Sequence, residues 1–189
     1  YVTQQIGYET SYQGLELSLT KRYANKWQFM GSITYGKSNV RLPITAVDDP
    51  NNREFNDDVV TSSDVPVIIK LSGSYDLPWG FYIGAFFNYR RGYPTQRYFL
   101  YADLNQGDVY VAAEKFGESR YPDLTLFDLR LSKIFNLKRY GKVEIMIDGF
   151  NIFNAHTPLS WDNESWEGYK QVTEILAPRI FRLGVKWNF

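Results

Sequence analysis

Apolar and polar residues alternate along seven stretches of this chain, and a period of two marks extended strands with one apolar face. In SYQGLELSLTKR, Leu15, Leu17 and Leu19 oppose Glu16, Ser18 and Thr20. In WQFMGSITYGKS, Trp27, Phe29, Ile33 and Tyr35 oppose Gln28, Ser32 and Thr34, with Met30 an exception. DVPVIIKLSGSYDL sets Val67, Ile69, Leu71, Tyr75 and Leu77 against Lys70, Ser72, Ser74 and Asp76. FYIGAFFNYRR sets Phe81, Ile83, Ala85, Phe87 and Tyr89 against Tyr82, Gly84, Asn88 and Arg90.

LTLFDLRLSKIF follows with Phe127, Leu129, Leu131 and Phe135 opposite Asp128, Arg130 and Ser132, and KVEIMIDGFNIFN with Val143, Ile145 and Ile147 opposite Glu144, Met146 and Asp148. The chain closes on RIFRLGVKWNF, where Phe181, Leu183, Val185, Trp187 and Phe189 alternate with Arg182, Gly184, Lys186 and Asn188. Apart from Lys133 and charges at strand ends, ionisable side chains keep to one parity. The pattern predicts seven strands, each with one dry face.

The connections alternate as well. Residues 23–26, 78–80 and 136–142 are short, whereas polar segments of roughly 20 to 30 residues lie near 39–63, 94–122 and 155–175. Ordinary connections have a median of about 4–6 residues. Short turns on one side and long loops on the other are the asymmetry of an outer-membrane barrel. About 12 residues per strand span roughly 40 Å, which at a tilt of about 40° rises about 30 Å, a hydrocarbon core. Trp27, Trp79, Phe81 and Trp187 fall by the short turns, and Tyr35 and Tyr89 by the loops, where interfacial girdles need aromatics.

Composition narrows the reading further. The mean hydropathy of −0.38 and the lack of a long apolar run exclude a transmembrane helix, but a barrel alternates and so reads as polar on average. Aromatics are 17% of residues, with 15 tyrosines and 5 tryptophans, high for a cytosolic enzyme. Lys plus Arg equals Asp plus Glu at 21 each, which gives no reason to expect nucleic acid as a partner. With no cysteine there is neither a disulfide framework nor a Cys-ligated zinc.

The fold class expected is therefore all-β: an antiparallel transmembrane barrel segment with short periplasmic turns, long extracellular loops and outer-membrane lipid as its surroundings. Seven is odd, and an open sheet would leave two edges that lipid does not tolerate. YVTQQIGYET carries neither an initiator Met nor a leader pattern. The chain is expected to be a fragment, with further strands of the same barrel before Tyr1.

At this point the sequence resembles the TonB-dependent outer-membrane receptors. The pieces that carry the likeness are YQGLELSLTKRYANKWQFMGSITYGKS, VPVIIKLSGSYDLPWG, RRGYPTQ, LTLFDLRLSKIF, VEIMIDGFNIFN and PRIFRLGVKWNF. Their order is similar to the Oar-like subgroup, which carries a carboxypeptidase-regulatory-like domain. The resemblance implies that residues 1–189 are the C-terminal part of a barrel filled by a plug. It further implies TonB, engaged through an absent N-terminal part, as the partner that energises uptake of an unknown nutrient. It also implies that the last strand, Phe181 to Phe189, is read by the barrel assembly machinery.

No catalytic constellation is present. The one histidine, His156, lies in a loop, and there is no glycine-rich phosphate loop, so no enzyme activity and no cofactor are expected. The acidic run DDPNNREFNDD (48–58) could hold calcium but lacks the EF-hand spacing and reads better as a solvated loop. Asn163-Glu164-Ser165 has the form of a glycosylation sequon, without weight in a bacterial barrel. Trp161, Trp166 and Tyr169 stand among acids in WDNESWEGY, as aromatics that contact a sugar or peptide do, although loop packing or an interfacial place explains them better. Lys70, Arg90, Asp128, Arg130, Glu144, Asp148 and Arg182 share the polar parity and are expected to face the lumen, as a structural network or as a substrate path. Two other readings stay open: a non-transporting adhesin or structural barrel with binding loops, and a soluble carbohydrate-binding β-sandwich.

Overall fold

A computed structural model describes residues 9–41, 59–105 and 107–189. In chain order its strands are β1 (Glu9–Ala24), β2 (Trp27–Arg41), β3 (Val59–Val60), β4 (Val67–Asp76), β5 (Phe81–Arg90), β6 (Pro94–Thr95) and β7 (Tyr98–Tyr101). They continue with β8 (Val109–Ala112), β9 (Ser119–Arg120), β10 (Leu124–Asn136), β11 (Lys142–Phe150), β12 (Pro158–Trp161), β13 (Val172–Ile175) and β14 (Ile180–Asn188). The seven long strands form one antiparallel sheet in the order β1-β2-β4-β5-β10-β11-β14, with β3 added on β2. The sheet is open: β1 and β14 are its edges. A single sheet replaces the two facing sheets that a sandwich would need.

Register makes the alternation collective. Every cross-strand pair along this path joins positions of like parity, except Ala24 with Trp27, where a bulge intervenes. Thus Trp27, Tyr75, Ile83, Leu131, Ile147 and Leu183 form one row across six strands, on the odd face. Gln28, Ser74, Gly84, Arg130, Asp148 and Arg182 form the corresponding row on the even face. Because a one-residue slip would turn each strand over, the apolar face pins the register.

That apolar face is uncovered on the edge strands and half-buried along β5. Leu15, Leu17, Leu183 and Val185 are 72%, 67%, 71% and 66% exposed, and among the described residues the buried apolar side chains are Val59 and Leu124. What is buried instead is polar: Asp64, Thr95, Ser132, Asp148 and Asn151. Lys133 breaks the parity on the odd face. Its ammonium lies 3.9 Å from the Phe81 ring centre, so the stem runs over apolar surface while the charge sits on an aromatic face near the strand end.

The short turns carry left-handed residues. Asn25 (φ 54°) and Lys26 (φ 70°) make the tight β1–β2 turn, a conformation that matches the strand twist. The Lys21 ammonium caps that turn through the carbonyls of Ala24 (2.9 Å) and Trp27 (3.0 Å). In the turn between β10 and β11, Gly141 has φ 89°, and a Cβ there would stand 2.0 Å from the Asn188 carbonyl oxygen. No other residue fits.

Three sequence expectations are corrected. β4 starts at Val67 and not at Asp64, because the Asp64 carboxylate turns inward to accept the Ser38 amide at 2.7 Å. β11 stops at Phe150 and does not reach Asn154: Asn151 and Asn154 take φ of 49° and 52°, a turn in which the Asn151 side chain reaches the carbonyls of Ala155 and Ala177. The long connections are also more than polar loops, since β6 pairs with β9, β7 with β8 and β12 with β13. The acidic run 48–58 lies outside the described residues.

Candidate functional site

Two polar assemblies stand out, one on the even face and one among the long connections. On the even face, register places Asp148 directly between Arg130 and Arg182. Its carboxylate accepts from Arg130 Nε at 2.5 Å and Nη2 at 3.1 Å, and from Arg182 Nε at 3.0 Å and Nη2 at 2.7 Å. Asp148 is 3% exposed, whereas the arginine side chains are 46% and 61% exposed. One buried anion is thus shared by two half-solvated cations, which ties β10, β11 and β14 together.

The other expected lumen-facing residues lie on this face without joining that triad. The Asp128 carboxylate accepts the Asn151 amide at 2.8 Å. Arg90 places its guanidinium 4.2 Å from the Tyr93 ring centre. Lys70 is exposed, opposite Ser32 and Asn88 in register, and Glu144 lies between Ile134 and Lys186. A hollow of about 630 Å³ opens beside Arg130, floored by Ser72, Ser74 and Gly84 and walled by Met30 and Phe86. Small side chains on neighbouring strands create it.

The second assembly joins segments 91–123 and 151–179. Tyr98 and Glu164 bridge in parallel, with the Tyr98 amide donating to the Asn163 carbonyl at 3.1 Å and the Ser165 amide to the Tyr98 carbonyl at 2.7 Å. The Asn163 side chain is the hub: its oxygen accepts from the Thr95 hydroxyl (2.8 Å) and the Trp161 indole (3.0 Å), and its amide donates to the Tyr121 hydroxyl (3.2 Å). Arg97 Nε donates to the Ser165 hydroxyl at 2.7 Å, and its guanidinium lies 4.5 Å from the Tyr169 ring centre. Burial pushes the Tyr98 phenol above its ordinary pKa, with Glu164 and Asp162 adding to the shift.

A second clasp joins 91–123 to the segment before β4. Arg120 donates to the buried Asp64 carboxylate at 2.5 Å and to the Gly92 carbonyl at 3.2 Å. Nearby, Asp123 accepts from the Tyr89 hydroxyl at 2.6 Å and the Gly92 amide at 3.1 Å. The phenol, foremost, holds the Asp123 carboxyl below the ordinary carboxylate range.

The three loop aromatics therefore separate. Trp161 is half-buried, its ring centre 4.7 Å from that of Tyr121 and its N–H donated to Asn163. Trp166 is 57% exposed with its N–H on Asp162 at 3.0 Å, and Tyr169 is half-buried beneath Arg97. Sequence reasoning missed Asn163, Thr95, Tyr121 and Arg97. Asn163 was visible only as an irrelevant sequon. His156 contacts Asn154 at 3.1 Å, and no cluster of three metal-ligating side chains occurs among the described residues.

On edge strand β14, Phe181, Leu183, Val185 and Trp187 are 65%, 71%, 66% and 60% exposed, and Phe189 beyond it is fully exposed. The Trp187 indole donates to the Tyr140 carbonyl at 2.9 Å, fastening the end of the strand to the turn before β11.

No family model and no curated protein matches the chain. Among solved structures it is similar to the outer membrane transporter YddB from Escherichia coli, with a TM-score of 0.60 and 16% identity over 95% of this chain and 25% of that one. It is likewise similar to P. aeruginosa FpvA bound to heterologous pyoverdines, with a TM-score of 0.60 and 12% identity over 96% of this chain and 20% of that one. The chain thus spans a fifth to a quarter of the length of these structures. At such identities the likeness speaks for the fold: this is an all-β antiparallel sheet of the outer-membrane-barrel kind, laid open along β1 and β14.

Proposed function

We propose that residues 1–189 form the C-terminal part of the barrel of a TonB-dependent outer-membrane receptor, similar to the Oar-like subgroup, that takes up a large nutrient. The observation that carries this reading is the continuous apolar face running in register through all seven long strands, most exposed on the edge strands β1 and β14. In water such a surface is a liability, and in lipid it is a requirement. The role is transport rather than catalysis, at the outer membrane, with plug, earlier strands and TonB contact supplied by polypeptide outside this segment.

On this reading the odd face meets lipid, and Lys70, Arg90, Asp128, Arg130, Glu144, Asp148 and Arg182 meet the lumen. The short turns point to the periplasm and the long connections to the exterior, where Trp166 and Tyr169 are placed to touch ligand and Trp161 to support them. Phe181, Leu183, Val185, Trp187 and Phe189 form the edge that the barrel assembly machinery reads before closure.

The test uses the complete polypeptide. An epitope inserted after Gly107, where an added Cβ would meet nothing within 4 Å, should be reached by antibody on intact cells, and one at Arg139 should not. Uptake of the cognate nutrient should stop when a protonophore collapses the proton-motive force. Surface labelling without energy-dependent uptake would favour the adhesin reading, and the reverse labelling pattern would refute the orientation.

A further inference from the structure

The apolar face is not level. Across β4 and β5 the register stacks three rows of odd-numbered residues: Tyr75 beside Ile83, Gly73 beside Ala85, and Leu71 beside Phe87. The middle row is small between two large ones, and on β2 Phe29 stands next to Gly73. The outcome is an apolar groove of about 610 Å³ in the outer skin of the sheet, floored by Gly73 and Ala85.

Charge gathers at one end of this groove. No odd position of β4, β5, β11 or β14 is ionisable, and on the short-turn halves of β1, β2 and β10 two are, Lys21 and Lys133. The Lys21 ammonium lies 3.8 Å from the ring centre of Trp27, which also lines the groove, and spends two donors on the turn carbonyls of Ala24 and Trp27. Lys133 is half-buried, with its ammonium 3.9 Å from the Phe81 ring centre. The ion pairs among the described residues involve Arg120, Arg130 and Arg182, so Lys133 has no acidic partner there. From its neighbour Phe81 to Ala85 is four residues along β5, about 13 Å. The turns at residues 22–26, 77–80 and 137–142 add Arg22, Lys26, Lys138, Arg139 and Lys142 without one acid.

We propose that this groove seats one acyl chain of an anionic glycerophospholipid, drawn from the leaflet on the short-turn side, with its phosphate held by Lys133 and with Lys21 on the opposite flank. The inference rests on the receptor reading above and adds to it a particular lipid at a particular place. Size favours a chain over a protein: small-molecule sites enclose about 300–1,000 Å³, whereas a second protein needs a flat patch of about 800 Å². Chemistry agrees, because a hydrocarbon chain asks for no hydrogen bonds and the groove offers none from its walls. The headgroup must be acidic, since it meets an unpaired ammonium on an apolar face and a rim of bases without acids.

The complete polypeptide in phosphatidylcholine vesicles, with a trace of phosphatidylglycerol carrying a diazirine in one acyl chain, tests this by photolabelling and peptide mapping. Label should concentrate on residues 71–75 and 83–87. Excess plain phosphatidylglycerol should displace it, and neither added phosphatidylcholine nor water-soluble glycerol 3-phosphate should do so. Ala85→Leu, which fills the groove, should remove the concentration of label, and Lys133→Gln should weaken displacement by phosphatidylglycerol about fivefold. Folding of each variant is followed independently by its heat-dependent gel migration. Label spread evenly over the odd positions of β5 and β14, equal displacement by phosphatidylcholine, displacement by glycerol 3-phosphate, or indifference to both substitutions would overturn the lipid seat and leave the receptor reading standing. Label confined to even positions such as Ser74 and Gly84 would instead overturn the assignment of faces on which both rest.

Discussion

The sheet and the long connections of this chain bury opposite kinds of side chain. In the sheet, leucines, valines and phenylalanines along one face are exposed or half-buried, with Leu15 72% and Leu183 71% uncovered on the edge strands. In the connections, polar groups are sequestered and satisfied: Asp64 by Arg120 and Ser38, Asn163 by Thr95, Trp161 and Tyr121. Acids outnumber bases by about two to one in the long connections, and the ratio reverses in the strands and short turns. On the proposed reading, the difference means that the two regions face different solvents. Backbone ladders and an apolar skin suit hydrocarbon, whereas side-chain clasps are needed where water competes for every loop hydrogen bond.

The largest effect should come from forcing the wrong polarity onto the sheet. Val185→Arg puts a charge on the apolar face near mid-strand and should cost about 2–4 kcal/mol of folding stability in lipid. Gly184→Arg, one residue away on the even face, should cost clearly less, because its first Cβ contact is the flexible Met146 side chain at 2.9 Å. Urea titration of the complete polypeptide in vesicles reads both. Equal losses at the two sites would erase the distinction between the faces.

Next in size is the triad. Asp148→Asn removes the charge shared by Arg130 and Arg182 and leaves two cations facing each other across β11. A loss of about 2 kcal/mol is expected, moderated by the exposure of both arginines. Arg182→Gln alone should cost less, since Arg130 still pairs with Asp148. The same titration compares them.

The connections should break locally. Asn163→Ala strands the Thr95 hydroxyl and the Trp161 N–H and should loosen the clasp by about 1–3 kcal/mol. Amide exchange should rise around Thr95–Tyr98 and Trp161–Ser165 while the seven long strands keep their protection. For the same reason an epitope inserted at Asn163 would disrupt the clasp.

The smallest effect is a pH dependence at the edge between the regions. Asp123 has a lowered carboxyl pKa, foremost because the Tyr89 hydroxyl donates to it. A depressed folded-state pKa means that the contribution is fully present above the ordinary carboxylate pKa and is lost as pH falls through the lowered value. The segment around Gly92 and Asp123 should therefore loosen at acid pH in wild type. Tyr89→Phe should flatten that dependence, as measured by exchange near Gly92.

These contrasts also explain what the sequence could and could not disclose. Strand parity was legible because each strand states it locally, residue by residue, and register only repeats it across neighbours. The triad was half legible: Arg130, Asp148 and Arg182 shared a parity, but only the pairing of β10 with β11 and of β11 with β14 brings them together. The ends of β4 and β11 were misplaced because Asp64 and Asn151 act through distant partners, Arg120 and Ala177. Asn163 was illegible for the same reason, since Thr95 lies 68 residues away and no period announces it.

Collision accessibility along β14 tests whether its odd-numbered side chains meet lipid. A nitroxide placed in turn at residues 181 to 188 of the complete polypeptide in lipid reports collisions with membrane-soluble oxygen and with a water-soluble nickel chelate. A period of two is expected, with oxygen dominating at Phe181, Leu183, Val185 and Trp187 and the chelate or a packed interior at Arg182, Gly184 and Lys186. A flat profile, or one with the parity reversed, would contradict it.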